Sequence, residues 1–238
     1  MSGTTAVVVF ARYDSRRLPG KVLLPIAGRA MLGRVLDRLR RIECSCELIV
    51  ATSDRPVDDP VAEFCSQEDV DCFRGAAEDV AGRALVCAEG AGASRFVRIS
   101  GDSPFIDPDL VTRMLSLHKV ECPEITTNLY PRTYPPGLSV EIVEMAAMRR
   151  MVKEVASPDD REHVTSHIYK HPERFVIRNH AAADRPSDGL SLVVDTETDL
   201  RKADWITSRL GDRPETAAIG RVLELARRWP GASAGAIS

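Results

Sequence analysis

No stretch of this chain is apolar over the roughly twenty residues that a bilayer-spanning helix needs, and no signal-peptide pattern is visible. A membrane partner is therefore not expected, and the cytoplasm is the expected compartment. A surplus of positive charge is missing as well: 32 Lys and Arg stand against 35 Asp and Glu, a formal net charge of −3. Nothing in that balance favours nucleic acid, so any affinity for anions has to be local. Paired cysteine motifs are lacking too. Six cysteines are scattered along the chain, and Cys44-x-Cys46 has no second pair nearby to complete a tetrahedral zinc site, which leaves free thiols as the expectation. Repeats, low-complexity tracts and long linkers are absent. With 238 residues, 44% apolar and 28% charged, the expected organisation is one folded domain over 1–238.

What is present is an alternation of short apolar runs with amphipathic segments. "AVVVF" (6–10), "ELIVA" (47–51), "DCF" (71–73) and "RFVRIS" (95–100) read as strands, the first buried on both faces. Between them, 31–42 carries Leu32, Val35, Leu36 and Leu39 at helical spacing, "DDPVAEFCSQ" opens a helix with Asp before Pro, and "AEDVAGRALVCAEGAG" ends one at glycine. Strand and helix repeated in this way imply a mostly parallel sheet with helices on both faces. After residue 119 the pattern changes. The proline-rich "YPRTYPPGLSVEIV" suggests an excursion, over about 128–180, that leaves the sheet and returns along its edge. Helices are expected at 144–156, 159–170, 197–210 and 215–229, strands at 174–178 and in "LSLVVD" (190–195), and fraying over the last eight residues.

In open α/β sheets ligands bind at the carboxyl ends of the strands, and three features fall there. The first is "FARYDSRRLPGKVLLP" (10–25), where Arg12, Arg16, Arg17 and Lys21 surround a Pro-Gly turn directly after the first strand. Neither glycine-rich phosphate motif is present in it, yet a triphosphate is the simplest ligand with enough negative charge to match it. The second is "RISGDSPFIDPDL" (98–110): Asp102 follows a flexible glycine at a strand tip, as a Mg²⁺-binding carboxylate would, whereas Asp107 before Pro108 reads as a helix cap and Asp109 as a first-turn acid. The third is "LVVDTETDL" (192–200), where Asp195 could bind metal or, with Thr196, cap the next helix. His163, His167 and His171 would share one helical face, but their spread of roughly 12 Å is too long for one zinc ion, so a polar or substrate-facing stripe is expected.

The segments "FARYDSRRLPGKVLLPIAGRAML", "FRGAAEDV", "RISGDSPFIDPDLV", "RTYPPGLSVEI", "DDREHVTSHIY" and "VVDTETDL", in this order, resemble the spore-coat-polysaccharide-type cytidylyltransferases, relatives of the acylneuraminate and 3-deoxy-manno-octulosonate cytidylyltransferases. The match runs from residue 6 to about 205. The resemblance implies a Rossmann-like nucleotide-diphospho-sugar transferase fold, a three-layer α/β/α sandwich with a mostly parallel mixed sheet. It also implies a nucleotidyltransferase that joins CTP to a small acidic acceptor, with Mg²⁺ as cofactor and release of pyrophosphate. Carried over by motif, Lys21 and Asp102 are the expected catalytic residues, and Asp102 and Asp195 the metal ligands. Ala11, Arg12, Ser15, Arg17, Lys21, Gly75, Asp79 and Ser100 are expected at the nucleotide, and Arg132, Glu141, Arg161, Glu162 and His163 at the acceptor. The excursion would supply the acceptor side or the surface of a homodimer, and Arg29 drops out of the site.

Two departures from the family pattern stand out. Tyr13-Asp14-Ser15-Arg16-Arg17 replaces the usual Met-Gly-Ser-Thr-Arg, placing a carboxylate in a polyphosphate loop that needs a partner such as Arg16. Ser139 stands where Leu-Asp-Val-Glu would have aspartate. Alternatives are transfer from another NTP or to a phosphonate, and a non-catalytic nucleotide-binding subunit.

Overall fold

The computed structural model describes residues 3–155, 157–183 and 189–233. In chain order the elements are β1 (Thr5–Phe10), a small hairpin of β2 (Pro25–Ile26) and β3 (Arg29–Ala30), α1 (Met31–Leu39), β4 (Cys46–Ser53), α2 (Asp59–Gln67), β5 (Asp71–Gly75), α3 (Val80–Gly90), β6 (Arg95–Ser100) and α4 (Pro108–Glu121). There follow β7 (Ile125–Thr127), β8 (Glu141–Glu144), α5 (Met145–Glu154), α6 (Pro158–Glu162), α7 (Ser166–Lys170), β9 (Ile177–Asn179), α8 (Glu197–Thr207) and α9 (Ile219–Arg227). No helix among the described residues is long and apolar enough to cross a membrane.

Seven strands form one sheet in the order β5-β4-β1-β6-β8-β7-β9, with β8 the antiparallel member. β1 lies inside the sheet, its edges paired in parallel with β4 and β6; helices cover both of its faces, and it carries no polar residue after Thr5. Its side chains feed two cores alternately. Val7 and Val9 pack on one side with Leu32, Leu36, Met114, Ile206 and Val222, while Ala6 and Val8 pack on the other with Ala84, Met148 and Met151. This is the expected three-layer, mostly parallel α/β/α architecture. The chain steps from β1 outward to β4 and β5, then returns to place β6 on the other side of β1. That reversal opens a crevice at the carboxyl ends of β1 and β6, where such folds bind ligands.

Three expectations need correction. The return strand β8 lies inside the sheet between β6 and β7, not along its edge. The reason is the short β7, unforeseen in the sequence, which pairs with β8 and β9 and pushes the edge outward. "LSLVVD" is extended but joins no strand. Its amides go to loop carbonyls instead, Leu192 N–H to Pro136 O at 2.8 Å and Val194 N–H to Asp102 O at 3.0 Å. The helix expected over 159–170 is two short ones, α6 and α7, separated by a turn at His163, so the three histidines share no continuous face. His163 is exposed in that turn, whereas His167 is buried and its ring packs 4.6 Å from that of His171. Of the last eight residues, 231–233 form part of a 3₁₀ turn and 234–238 lie outside the described residues.

Candidate active site

The basic loop after β1 is held rigidly by its own backbone. Gly20 adopts the left-handed region at φ 68° and donates its N–H to Tyr13 O at 2.9 Å, which closes the turn. A side chain at this position would also strike the Tyr13 ring at 2.9 Å. Tyr13 N–H in turn donates to Asp58 Oδ1 at 2.6 Å, and the Ser53 hydroxyl donates to Asp58 Oδ2. Asp58 stands at the N-cap position of α2 but caps nothing with its side chain. Its fully buried carboxylate ties the β1 loop to the end of β4 instead.

Asp102 and Asp195 converge on a single cation. Lys21 Nζ donates to Asp102 Oδ2 at 2.9 Å, to Asp195 Oδ1 at 2.7 Å and to Val194 O at 3.1 Å. Arg17 reaches the second oxygen of Asp195 at 2.6 Å, and Ser100 Oγ donates to Asp102 Oδ1 at 2.7 Å. Thr196, not Asp195, caps α8: it forms a reciprocal capping box with Asp199, and the Asp195 carboxylate lines the crevice. Asp107 caps α4 by accepting from Asp109 N–H at 3.3 Å, the structural role its sequence suggests.

Around this centre lies a cavity of about 660 Å³. Six basic residues, Arg12, Arg16, Arg17, Lys21, Arg55 and Arg83, and five carboxylates line it. Most of the cations are therefore already paired: Arg12 lies 3.7 Å from Glu162, and Arg55 lies 2.9 Å from Asp14. Asp14 thus takes its charge partner from the turn after β4, not from Arg16. Arg29 is outside the cavity, held bidentately by both Asp37 and Glu68, whose carboxylates push its pKa up.

The expected nucleotide residues Ala11, Arg12, Ser15, Arg17, Lys21 and Ser100 all line this cavity. Gly75 and Asp79 flank it without lining it; Asp79 caps α3 through Gly82 N–H at 2.8 Å and accepts from Arg161 at 2.7 Å. The expected acceptor residues separate into two groups. Glu162 lines the cavity with Arg161 beside it, whereas His163 is exposed and is not among the lining residues. Arg132 and Glu141 belong to a second polar cluster at the same end of the sheet. There Glu141 is fully buried, accepting from Arg98 Nη1 and from the Tyr169 hydroxyl, each at 2.6 Å, while Arg132 donates to Ser139 Oγ at 3.1 Å. Burial and the neighbouring Glu141 charge push the Tyr169 phenol far above its ordinary range, so it remains a donor. Burial lowers the pKa of Arg132.

Sequence reasoning missed Asp58, Arg55 and Arg83. Asp58 and Arg55 sit in a turn that reads only as a helix start, and Arg83 sits in a helix whose polar positions read as solvent-facing.

A family model for cytidylyltransferases matches residues 6–209. The spore coat polysaccharide biosynthesis protein SpsF of Bacillus subtilis (strain 168) is 30% identical over 232 residues, 95% of each chain. A 3-deoxy-manno-octulosonate cytidylyltransferase of Idiomarina loihiensis is 30% identical over 193 residues, covering 72% of this chain and 74% of that one. Among solved structures, a cytidylyltransferase from Leptospira borgpetersenii serovar Hardjo-bovis superposes with a TM-score of 0.91 at 26% identity, over 96% of each chain. With the basic loop and the paired aspartates at the sheet's reversal point, these likenesses identify the chain as a nucleotidyltransferase that belongs to the cytidylyltransferase family.

Proposed function

We propose that this protein transfers CMP from CTP to a small acidic acceptor, a sugar acid or a related acid, and releases pyrophosphate, in the synthesis of a surface polysaccharide or glycoconjugate. The observation that carries this reading is the convergence of Asp102 and Asp195 on one cation, Lys21, beside the Arg-rich loop. Magnesium binds through one or two carboxylates and completes its shell with substrate phosphates and water, and this pair of hard oxygen donors facing the cavity fits that demand. Asp102 and Asp195 would hold the ion, which when bound neutralises charge on the phosphates.

The chain's own groups account for the rest. Arg12, Arg17 and loop amides would bind the triphosphate, with Ala11, Ser15 and Ser100 lining its bed. Lys21, released from one or both carboxylates, would neutralise the developing charge on the oxygens of the phosphate under attack. An acceptor oxygen attacks the α-phosphorus in line, the bond to the β-phosphate oxygen breaks, and pyrophosphate departs with that electron pair. Arg132, exposed and without a carboxylate within bonding reach among the described residues, suits the acid group of the acceptor. Glu141 has both oxygens engaged and would position Arg98 and Tyr169 rather than touch the acceptor.

The test is pyrophosphate release from purified protein with CTP, Mg²⁺ and a panel of acidic acceptors. Turnover should require all three and fall at least about tenfold in Lys21→Ala, less than the roughly 100-fold typical of one lost preorganised donor because Arg12 and Arg17 remain in the cavity. Calorimetric binding of CTP with no turnover on any acceptor would instead favour a nucleotide-binding role. A second expectation concerns Asp14. Its pair with Arg55 is exposed, so Asp14→Ala should change stability by less than about 1 kcal/mol. Removing a carboxylate from the phosphate bed should tighten CTP binding by about fivefold, since a unit charge a few Å away is worth roughly 1 kcal/mol in water. Weaker CTP binding in this variant would reverse the assignment of Asp14 as a repulsive group.

A further inference from the structure

The two carboxylates that meet Lys21 are held in different ways. Asp102 follows the tip of β6, a strand paired on both sides, and the Gly101 N–H before it donates to Phe10 O at 2.9 Å, so its place comes from the sheet. Asp195 ends the extended segment 190–195, which pairs with no strand among the described residues. Its place is set by loops and one helix instead. Leu192 N–H donates to Pro136 O at 2.8 Å, Val194 N–H to Asp102 O at 3.0 Å, and Lys202 Nζ, from α8, to Ser191 O at 2.7 Å. Leu192 and Val194 are both buried, which fixes the face that the segment turns inward.

The loop that accepts from Leu192 can approach the segment only because residue 137 is glycine. Gly137 is buried and adopts φ 95°, in the region that favours glycine. A Cβ there would sit 2.7 Å from Leu192 C and 2.9 Å from Val193 N. Both are backbone atoms and cannot rotate aside. Any side chain at 137 therefore pushes the segment away two residues before Asp195, about 7 Å of extended chain. From α8, Lys202 is half-buried, enough to lower its pKa, and pins the Ser191 carbonyl. Neither Gly137 nor Lys202 lines the cavity.

We propose that Gly137 and Lys202 are positioning residues for Asp195: from a loop and from a helix outside the cavity, they clamp 191–193 and so hold the carboxylate where one cation can meet it and Asp102 together. Lys21 meets both here, at 2.7 and 2.9 Å. A lysine on its flexible four-carbon stem can follow a displaced carboxylate. Magnesium cannot, because it demands near-ideal octahedral geometry at about 2.0–2.1 Å. Loosening the clamp therefore costs metal-assisted binding of nucleotide and spares what the basic loop binds without metal. This rests on the CTP and Mg²⁺ reading above.

The experiment measures CTP binding by calorimetry in Mg²⁺ and again in EDTA, for the wild type, Gly137→Ala and Lys202→Met. The tightening that Mg²⁺ brings should be abolished or cut at least about tenfold in Gly137→Ala, the usual cost of disturbing the support of a metal ligand. In Lys202→Met it should fall about fivefold, the worth of one hydrogen bond. Affinity in EDTA should stay unchanged in both. A merely structural role would lower the competent fraction, read as stoichiometry, or weaken binding alike with and without metal. If Gly137→Ala fails to fold, Lys202→Met, altered at a half-buried position, decides alone. Undiminished tightening by Mg²⁺ in a folded variant, or equal weakening in both conditions, overturns the role of that residue while leaving CMP transfer intact. A wild type whose CTP affinity does not respond to Mg²⁺ removes the metal reading, and this inference with it.

Discussion

Replacing Asp102 with alanine is expected to lower CTP-dependent pyrophosphate release by at least about 100-fold, the cost commonly seen when one preorganised charge-stabilising group is deleted. The size of the effect follows from how many functions share this carboxylate. It is one of the two oxygen donors that fit Mg²⁺, it accepts from Ser100 and it holds Lys21 in place. Binding should respond in the opposite direction from turnover. With divalent metal chelated, the variant has one carboxylate fewer in the phosphate bed and should hold free CTP at least as tightly as the wild type, as calorimetry would measure. The fold should tolerate the change, since Asp102 is about one-fifth exposed and Asp195 remains as a partner for Lys21. Full turnover in Asp102→Ala would remove this residue from the chemistry. Loss of metal-free CTP binding would mean that the carboxylate shapes the bed rather than carrying metal.

The second large effect is expected in stability. Glu141→Ala leaves Arg98 without its ion-pair partner and the Tyr169 hydroxyl with Thr127 Oγ1 as its remaining acceptor, at a place where the deleted carboxylate is fully buried. Breaking a buried pair by removing one partner typically costs about 3–5 kcal/mol. Arg98 is 26% exposed and can recover some hydration, so the low end, about 3 kcal/mol, is the expectation. For a chain of this size that corresponds to a fall in Tm of roughly 6–12 °C. Urea or thermal unfolding gives the answer, and Glu141→Gln, which keeps an acceptor, should lose less. If Glu141 instead contacts the acceptor, the variant would keep its stability and show a raised KM for the acceptor alone.

The elements legible in the sequence were those whose environment leaves a one-dimensional mark. β1, β4 and β6 are flanked by strands, and β1 above all, with both faces covered, is written as an uninterrupted apolar run. β7 is three residues with two threonines, and its place inside the sheet depends on β8 and β9, which are remote in sequence. "LSLVVD" carries the apolar signature of a strand because Leu192 and Val194 are buried, although the backbone bonds to loops. Burial is what the pattern records, and pairing is inferred from it. The site divides in the same way. Arg12, Lys21, Asp102 and Asp195 follow strands or apolar segments and could be recognised there. Arg83 looks like any polar residue on an amphipathic helix, and its burial depends on the missing side chain at Gly75, eight positions earlier on another element. Glu141 was legible as a residue of the cluster, but its neighbours Arg98 and Tyr169 lie 43 and 28 positions away, and their contacts exist only in the fold.

Lys21 reaches across 81 positions to Asp102 and 174 to Asp195. Closing contacts of such separation costs loop entropy that the rest of the fold must repay, so this cluster is not a local nucleus. A ligand that spans it binds the native state alone, and its free energy of binding adds to the stability of the whole. Under the nucleotide-binding role proposed for this cluster, such binding would report a chain folded from the first strand to the start of α8.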